Sequence, residues 1–230
     1  MKFTSIGDRA LVRLIPATYH KPPSLRGLID SDDEMEILAE IEGLTSARLI
    51  AERGRDPNVD RRELAWRRQK NDLRIYGNSH INAAFTYTRS GGNRFNDETR
   101  GAWYCSWESM TSVAEVAFHK TRELGYIRRY YETSRYVELL ADFIGDFPDL
   151  SDEPKHVALN PDTVTGYPAG QALAQRLRRD GNSGLLYPSV RARGGRCLVA
   201  FEASVIQNVR PGASWDIVWS GSEHYSVTAI

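Results

Sequence analysis

The sequence predicts an α+β fold: a single domain of mostly antiparallel strands with flanking helices. Three observations carry this. Apolar residues recur at helical spacing in three separated segments, over 30–53, 109–124 and 169–180. From Gly184 onward, short β-prone runs are bounded by Gly, Pro or Asn. Helices and strands mix without the strict alternation that builds a parallel sheet. The chain has 230 residues, 41% hydrophobic and 26% charged. That is enough apolar material to bury the core of one domain, taken as residues 1–230.

In order along the chain, Ala10 to Pro16 reads as a strand ended by proline, with Arg13 set among apolar residues. Such an arginine is either a snorkelling edge residue or a cation aimed into a pocket. Asp30 to Arg53 reads as a packing helix with N-caps at Asp30 to Asp32, a stripe of Met35, Leu38, Ile41 and Leu44, and a stop at Gly54. The arginine-rich stretch from Arg55 to Asn78 follows, with a short helix expected over Glu63 to Gln69 around Trp66. A helical segment of about 30–80 is thus inserted after the first strand. Ile81 to Thr88 reads as a strand leading to the Gly91-Gly92 turn, and Ala102 to Trp107 as the next strand.

Ser109 to Leu124 is a second helix, with Val113, Val116, Ala117 and Leu124 inward. Tyr130 to Leu150 fits either a helix or an alternating strand, and periodicity leaves both open. Ser151 to Gly166 is loop-like. Ala169 to Asp180 is a helix stopped by Gly181. The closing strands are expected at Leu185 to Tyr187, Cys197 to Glu202, Trp215 to Trp219 and His224 to Thr228.

Composition excludes several classes. Lys+Arg and Asp+Glu both number 30, whereas a dedicated nucleic-acid or anionic-membrane binder carries a basic excess. No window approaches the roughly 18 apolar residues of a membrane span. No apolar leader follows Met1, and Cys105 and Cys197 are the only cysteines, so two buried thiols in a reducing cytoplasm are expected. Five scattered histidines and no Cys-x-x-Cys spacing argue against a metal site. Neither a P-loop nor a glycine-rich dinucleotide fingerprint is present.

Chemistry-bearing residues concentrate between Gly91 and Glu123. Arg94 follows a glycine turn and suits either a salt bridge or bidentate contact with a phosphate or carboxylate. Tyr104 lies on the strand face opposite Trp103 and Trp107, placed to stack on a planar ring or to sit half-buried with its hydroxyl satisfied. Glu115 ends a Ser-x-x-Glu capping box with Ser112, or presents its carboxylate to a cleft. His119 lies four residues on, on the same helix face. Ser189 follows a strand without a Gly-x-Ser-x-Gly elbow, so a nucleophilic serine is not expected there.

Six short pieces in this order resemble the RES-domain family, named for an Arg, a Glu and a Ser. They are Arg13-Leu14-Ile15-Pro16, Ala84-Phe85-Thr86, Asn93-Arg94-Phe95-Asn96-Asp97, Trp103-Tyr104, Ala114-Glu115-Val116-Ala117-Phe118-His119 and Leu186-Tyr187-Pro188-Ser189-Val190-Arg191. The turn departs from the family's usual Gly-Arg-Trp-Asn or Ser-Arg-Phe-Ser while keeping the arginine. The resemblance implies a fold like the diphtheria-toxin type of ADP-ribosyltransferase. It implies the toxin of a toxin–antitoxin pair that cleaves the nicotinamide–ribose bond of NAD+ and transfers ADP-ribose to a cellular protein. Alternatives are a glycohydrolase or phosphorylase depleting NAD+, and a non-catalytic interaction protein on the same scaffold. By the same resemblance Glu115, Arg94 and Tyr104 are catalytic, and Arg13, Arg94, Tyr104, His119 and Ser189 bind NAD+, used as a substrate without a metal. The implied partner is a helix-turn-helix antitoxin that blocks the active site, with a protein target possible and no direct nucleic-acid or membrane contact.

Overall fold

The computed structural model describes residues 1–20, 45–65 and 76–230. Among these lie seven strands: β1 (Lys2–Pro16), β2 (Trp103–Ser106), β3 (Tyr131–Asp149), β4 (Gly184–Pro188), β5 (Arg196–Ala200), β6 (Gln207–Ser220) and β7 (Tyr225–Ala229). Four α-helices accompany them: α1 (Ala47–Glu52), α2 (Asn78–Thr86), α3 (Ser109–Ile127) and α4 (Thr163–Arg179). The predicted α+β class holds, and every strand pair but one is antiparallel.

The strands form two antiparallel groups joined at both ends. β1, β3, β6 and β7 make a long group, paired from Lys2↔Asp149 to Pro16↔Tyr136 and onward through β3–β6 and β6–β7. β2, β5 and β4 make a short group. The groups meet through Val12↔Ser106 and through the parallel contact Asp149↔Leu186. Strands β1, β2, β5, β4 and β3 therefore close on one another as a ring. Near the middle of β1, Ala10 takes a left-handed φ of 63° and donates its N–H to Asp142 Oδ1 at 2.9 Å. The register slips there, which bends β1.

Three apolar clusters fix the layers. The largest lies inside the ring, where Leu11, Leu139, Phe143 and Leu198 meet Trp103, with α2 against it through Ile81, Ala84 and Phe85. A second packs α4 (Leu173, Ala174, Leu177) on β4 and β5. The third packs α3 (Val113, Ala117, Leu124) on Leu14, Tyr136 and Ile217. Helices α3 and α4 thus cover different strand groups, and a cleft runs between them.

Several expectations are corrected. Ile81 to Thr88, predicted as a strand, is mostly helix α2. Ile81, Ala84 and Phe85 are buried at i, i+3 and i+4, and Ala83-Ala84 favours helix over strand. The expected Asp30–Arg53 helix is interrupted at Ser46, whose extended backbone caps α1 and accepts from Leu49 N. Its stop at Gly54 holds, with φ +71°. The expected stripe and N-caps of that helix lie outside the described residues. So do Trp66 to Gln69, while a 3-10 turn occupies Arg61–Glu63. The open segment before Leu150 resolves as β3, with Leu139, Ala141 and Phe143 fully buried in alternation. Helix α4 begins at Thr163 rather than Ala169, because Asp162 caps it by accepting from Val164 N at 3.1 Å. Pro168 is held in its second turn, early enough to spare most of the helical hydrogen bonds. The loop-like stretch before it contains a 3-10 turn at Val157–Leu159.

Cys105 and Cys197 are free and buried, as expected. They belong to clusters on opposite faces of the β2–β5 pair, which keeps them apart. Burial raises both thiol pKa values.

Candidate functional site

The cleft has a volume of about 770 Å³, within the range of small-molecule and cofactor sites. Its walls are the end of β1, the start of β3, strand β2 and the facing sides of α3 and α4. Along α3 the residues that reach it are Ser112, Glu115, Val116, His119, Lys120 and Glu123, a mostly polar stripe that borders the one packed on the strands. An amphipathic helix with its polar border turned inward produces this arrangement.

Helix α3 begins at Ser109 after Glu108, so Ser112 is not a cap and the capping box expected for Glu115 is absent. Ser112 instead donates to Val12 O at 2.7 Å and lies 2.7 Å from Ser106 Oγ, tying the helix to the β1–β2 junction. Glu115 is left with another partner. The Ser189 hydroxyl donates to Glu115 Oε1 at 2.6 Å. Ser189 Oγ accepts in turn from Arg191 N and Ala192 N, at 3.1 and 2.9 Å. Two amides fix the oxygen, so its proton has one useful direction, toward the carboxylate.

Arg94 is 7% exposed. Its Nη1 donates to Ala158 O and Asn160 O at 2.7 and 2.8 Å, and the guanidinium stacks over Tyr167 at 5.3 Å. The alternative of a structural salt bridge is not realised among the described residues. Helix α4 crosses very close here. A Cβ on Gly166 would collide with Asn160 O and crowd Arg94, and one on Gly170 would strike the Arg94 carbonyl oxygen. Small residues are therefore required where α4 covers the arginine turn.

Tyr104 lines the cleft. Its hydroxyl accepts from Phe95 N at 3.0 Å and donates to Asn96 Oδ1 at 2.8 Å, anchoring the arginine turn to β2. Burial raises its pKa. Arg13 also lines the cleft, with its guanidinium 4.9 Å from the Trp103 ring centroid and Nη1 3.3 Å from Tyr104 O. Its Nε is buried without a partner, and burial lowers its pKa to about 10. His119 lies between Arg89, 3.1 Å from Nδ1, and the Tyr167 hydroxyl, 3.5 Å from Nε2. Burial first, then Arg89 and three further arginines, push its pKa down to about 3.

The cleft is electropositive where its arginines gather. Arg13, Arg89, Arg94 and Arg191 line it, and none forms an ion pair among the described residues. Unpaired guanidinium groups in a concave, partly dry site focus positive potential on an anionic ligand. Arg13, Arg94, Tyr104, Glu115 and His119 line this one cleft, and Ser189 joins it through Glu115. Sequence reasoning missed Tyr167, Arg191 and Arg89 as site residues. Arg191 stacks 3.4 Å over the Phe118 ring and donates to Pro161 O, so the segment after β4 is pinned to both walls. It stood in a segment already noticed for Ser189. Tyr167 was hidden by Pro168, which reads as a helix boundary.

A family model described as RES domain matches residues 48–220, well over half of the chain. The chain belongs to the RES-domain family. No curated protein matches it. The span matched by the RES model contains Arg94, Tyr104, Glu115, His119 and Ser189, while Arg13 precedes it. RES domains are associated with NAD-related toxin–antitoxin systems and with NAD-related enzymatic activity in general. No helix among the described residues of this RES domain is long and apolar enough to cross a membrane.

Proposed function

We propose that this RES domain is the toxin of a toxin–antitoxin pair, that it cleaves the nicotinamide–ribose bond of NAD+, and that it transfers the ADP-ribose to a cellular protein. The observation that carries the reading is Glu115, its carboxylate oriented by Ser189 in a cleft where Arg13, Arg89, Arg94 and Arg191 have no ion-pair partner among the described residues. Losing nicotinamide leaves an oxocarbenium-like ribose. A carboxylate bonded to the ribose hydroxyls stabilises that charge as it develops. Arg13 and Arg94 supply donors for the pyrophosphate, and the Tyr104 ring stacks on nicotinamide and holds it ready to leave. The C–N bond breaks with its electron pair going to the ring nitrogen. The acceptor then bonds to the ribose carbon and gives up its proton. His119 and Ser189 complete the binding set, and no metal takes part.

On this reading the two linked strand groups correspond to the diphtheria-toxin type of transferase fold, within one domain. A helix-turn-helix antitoxin, made in the same cytoplasm, blocks the cleft. The test is incubation with NAD+, with and without phosphate and cell extract, followed by mass analysis. A modified protein supports transfer, whereas free ADP-ribose or its 1″-phosphate would replace the acceptor by water or phosphate. Glu115→Ala should lose NAD+ consumption and growth arrest while melting cooperatively near the wild-type temperature. Wild-type turnover in that variant would remove Glu115 from the mechanism.

A further inference from the structure

Beside the cleft lies a second cavity of about 510 Å³, and Arg89, His119, Glu123 and Tyr167 line both. His119 is central to this shared wall. One nitrogen of its ring, Nδ1, faces Arg89 Nη1 at 3.1 Å, and the other faces the Tyr167 hydroxyl at 3.5 Å. A guanidinium has only donors and stays protonated at any physiological pH. The nitrogen opposite it must therefore accept, and the single proton of a neutral imidazole is left to Nε2.

The surroundings oppose a second proton. Arg89 approaches from the segment after α2, Arg94 from the turn before β2, Arg191 from the segment after β4 and Arg122 from the next turn of α3. The acidic side chains lining the same space are Glu115 and Glu123 on the histidine's own helix and Glu132 on β3, and Tyr167 faces it from α4. We propose that Arg89 is a positioning residue that holds His119 as the neutral Nε2–H tautomer. The cleft wall then offers a fixed hydrogen-bond donor at this place, rather than a cation or a proton-accepting nitrogen. A donor there selects a ligand oxygen, such as a carboxamide carbonyl or a ribose hydroxyl oxygen. The kinetic part of this inference rests on the proposed NAD+ reaction; the tautomer does not.

Imidazole 15N–1H correlation spectra of the full chain test it, with the His119 signals assigned by their loss in His119→Gln. The wild type should show the Nε2–H pattern, unchanged from pH 8 to pH 5. Arg89→Ala should mix the tautomers and let the ring titrate in the ordinary histidine range. Arg89→Lys, which keeps a donor toward Nδ1, should restore the wild-type spectrum. With NAD+, Arg89→Ala should raise KM about two- to tenfold, the worth of one neutral hydrogen bond, and change kcat little. An Nδ1–H ring in the wild type would overturn the proposal, as would an Arg89→Ala spectrum identical to wild type. Failure of the wild type to consume NAD+ would instead strike the functional reading, with the spectra still deciding the role of Arg89.

Discussion

At the scale of single residues, the site depends on hydrogen bonds that fix direction. The Ser189 hydroxyl is held by two amides and spends its proton on Glu115. Ser189→Ala removes a hydrogen bond to a charged group, worth about 1.5–3 kcal/mol. It should lower kcat for NAD+ cleavage by about ten- to a hundredfold, less than Glu115→Ala, and a steady-state comparison of the two variants checks this. Residue types were legible in the sequence, but their partners were not. Ser112 and Glu115 have the spacing of a capping box, yet α3 starts three residues earlier and both side chains turn to long-range partners. The start at Ser109 agrees with the apolar stripe, so the Ser-x-x-Glu spacing falls inside a helix already begun and has no free end to cap. Arg94 was visible as a cation after two glycines. That its anchor would be two carbonyl oxygens some sixty-odd residues away had no local signature.

At the scale of elements, α4 is the least legible and the most consequential. Its strong apolar stripe begins at Ala169, but only Gly170 of the contacts on Arg94 falls within it, while Gly166 and Tyr167 lie before Pro168. The close crossing gives a direct prediction. Gly170→Ala puts a methyl group against the Arg94 carbonyl, an overpacking that typically costs about 1–3 kcal/mol. It should lower Tm and weaken NAD+ binding together, measured by thermal melting and KM. Ser112→Ala acts at the other wall by removing the donor to Val12 O. Stranding that buried group should cost about 1–3 kcal/mol in a denaturant titration. Helix α2 shows why Ile81 to Thr88 misled. Over eight residues an apolar run fits strand and helix alike, and only the core showed Ile81, Ala84 and Phe85 buried together on one helical face.

For the molecule as a whole, the predicted class and antiparallel preference follow from short β-prone runs, but the ring closure rests on two narrow contacts without a sequence pattern. Stability should show two acid limbs. His119 and His80 are lowered from 6.5 to about 3 and about 4, chiefly by burial. The unfolded chain then binds protons that the folded chain refuses, so stability falls as pH drops below about 6.5. Asp142, held at about 2 by Asn208, Ala10 and Arg210 against the opposing effect of burial, is depressed from 3.8. It contributes stability above 3.8 that is lost as pH falls toward 2. Urea midpoints measured from pH 7 to pH 3 should decline in both windows, and His119→Gln should flatten only the upper one.

The ring also sets a timetable. β1 leaves the ribosome before its partners, but β3 ends at Asp149, and the short group that closes the circuit needs Arg196–Ala200. Such distant pairings form late, because loop entropy is lost before contacts repay it. Arg13, Glu115 and Ser189 therefore stay apart until β5 has been made. A nascent chain must extend through Ala200 before it can assemble the cleft, and a product truncated before that point never does.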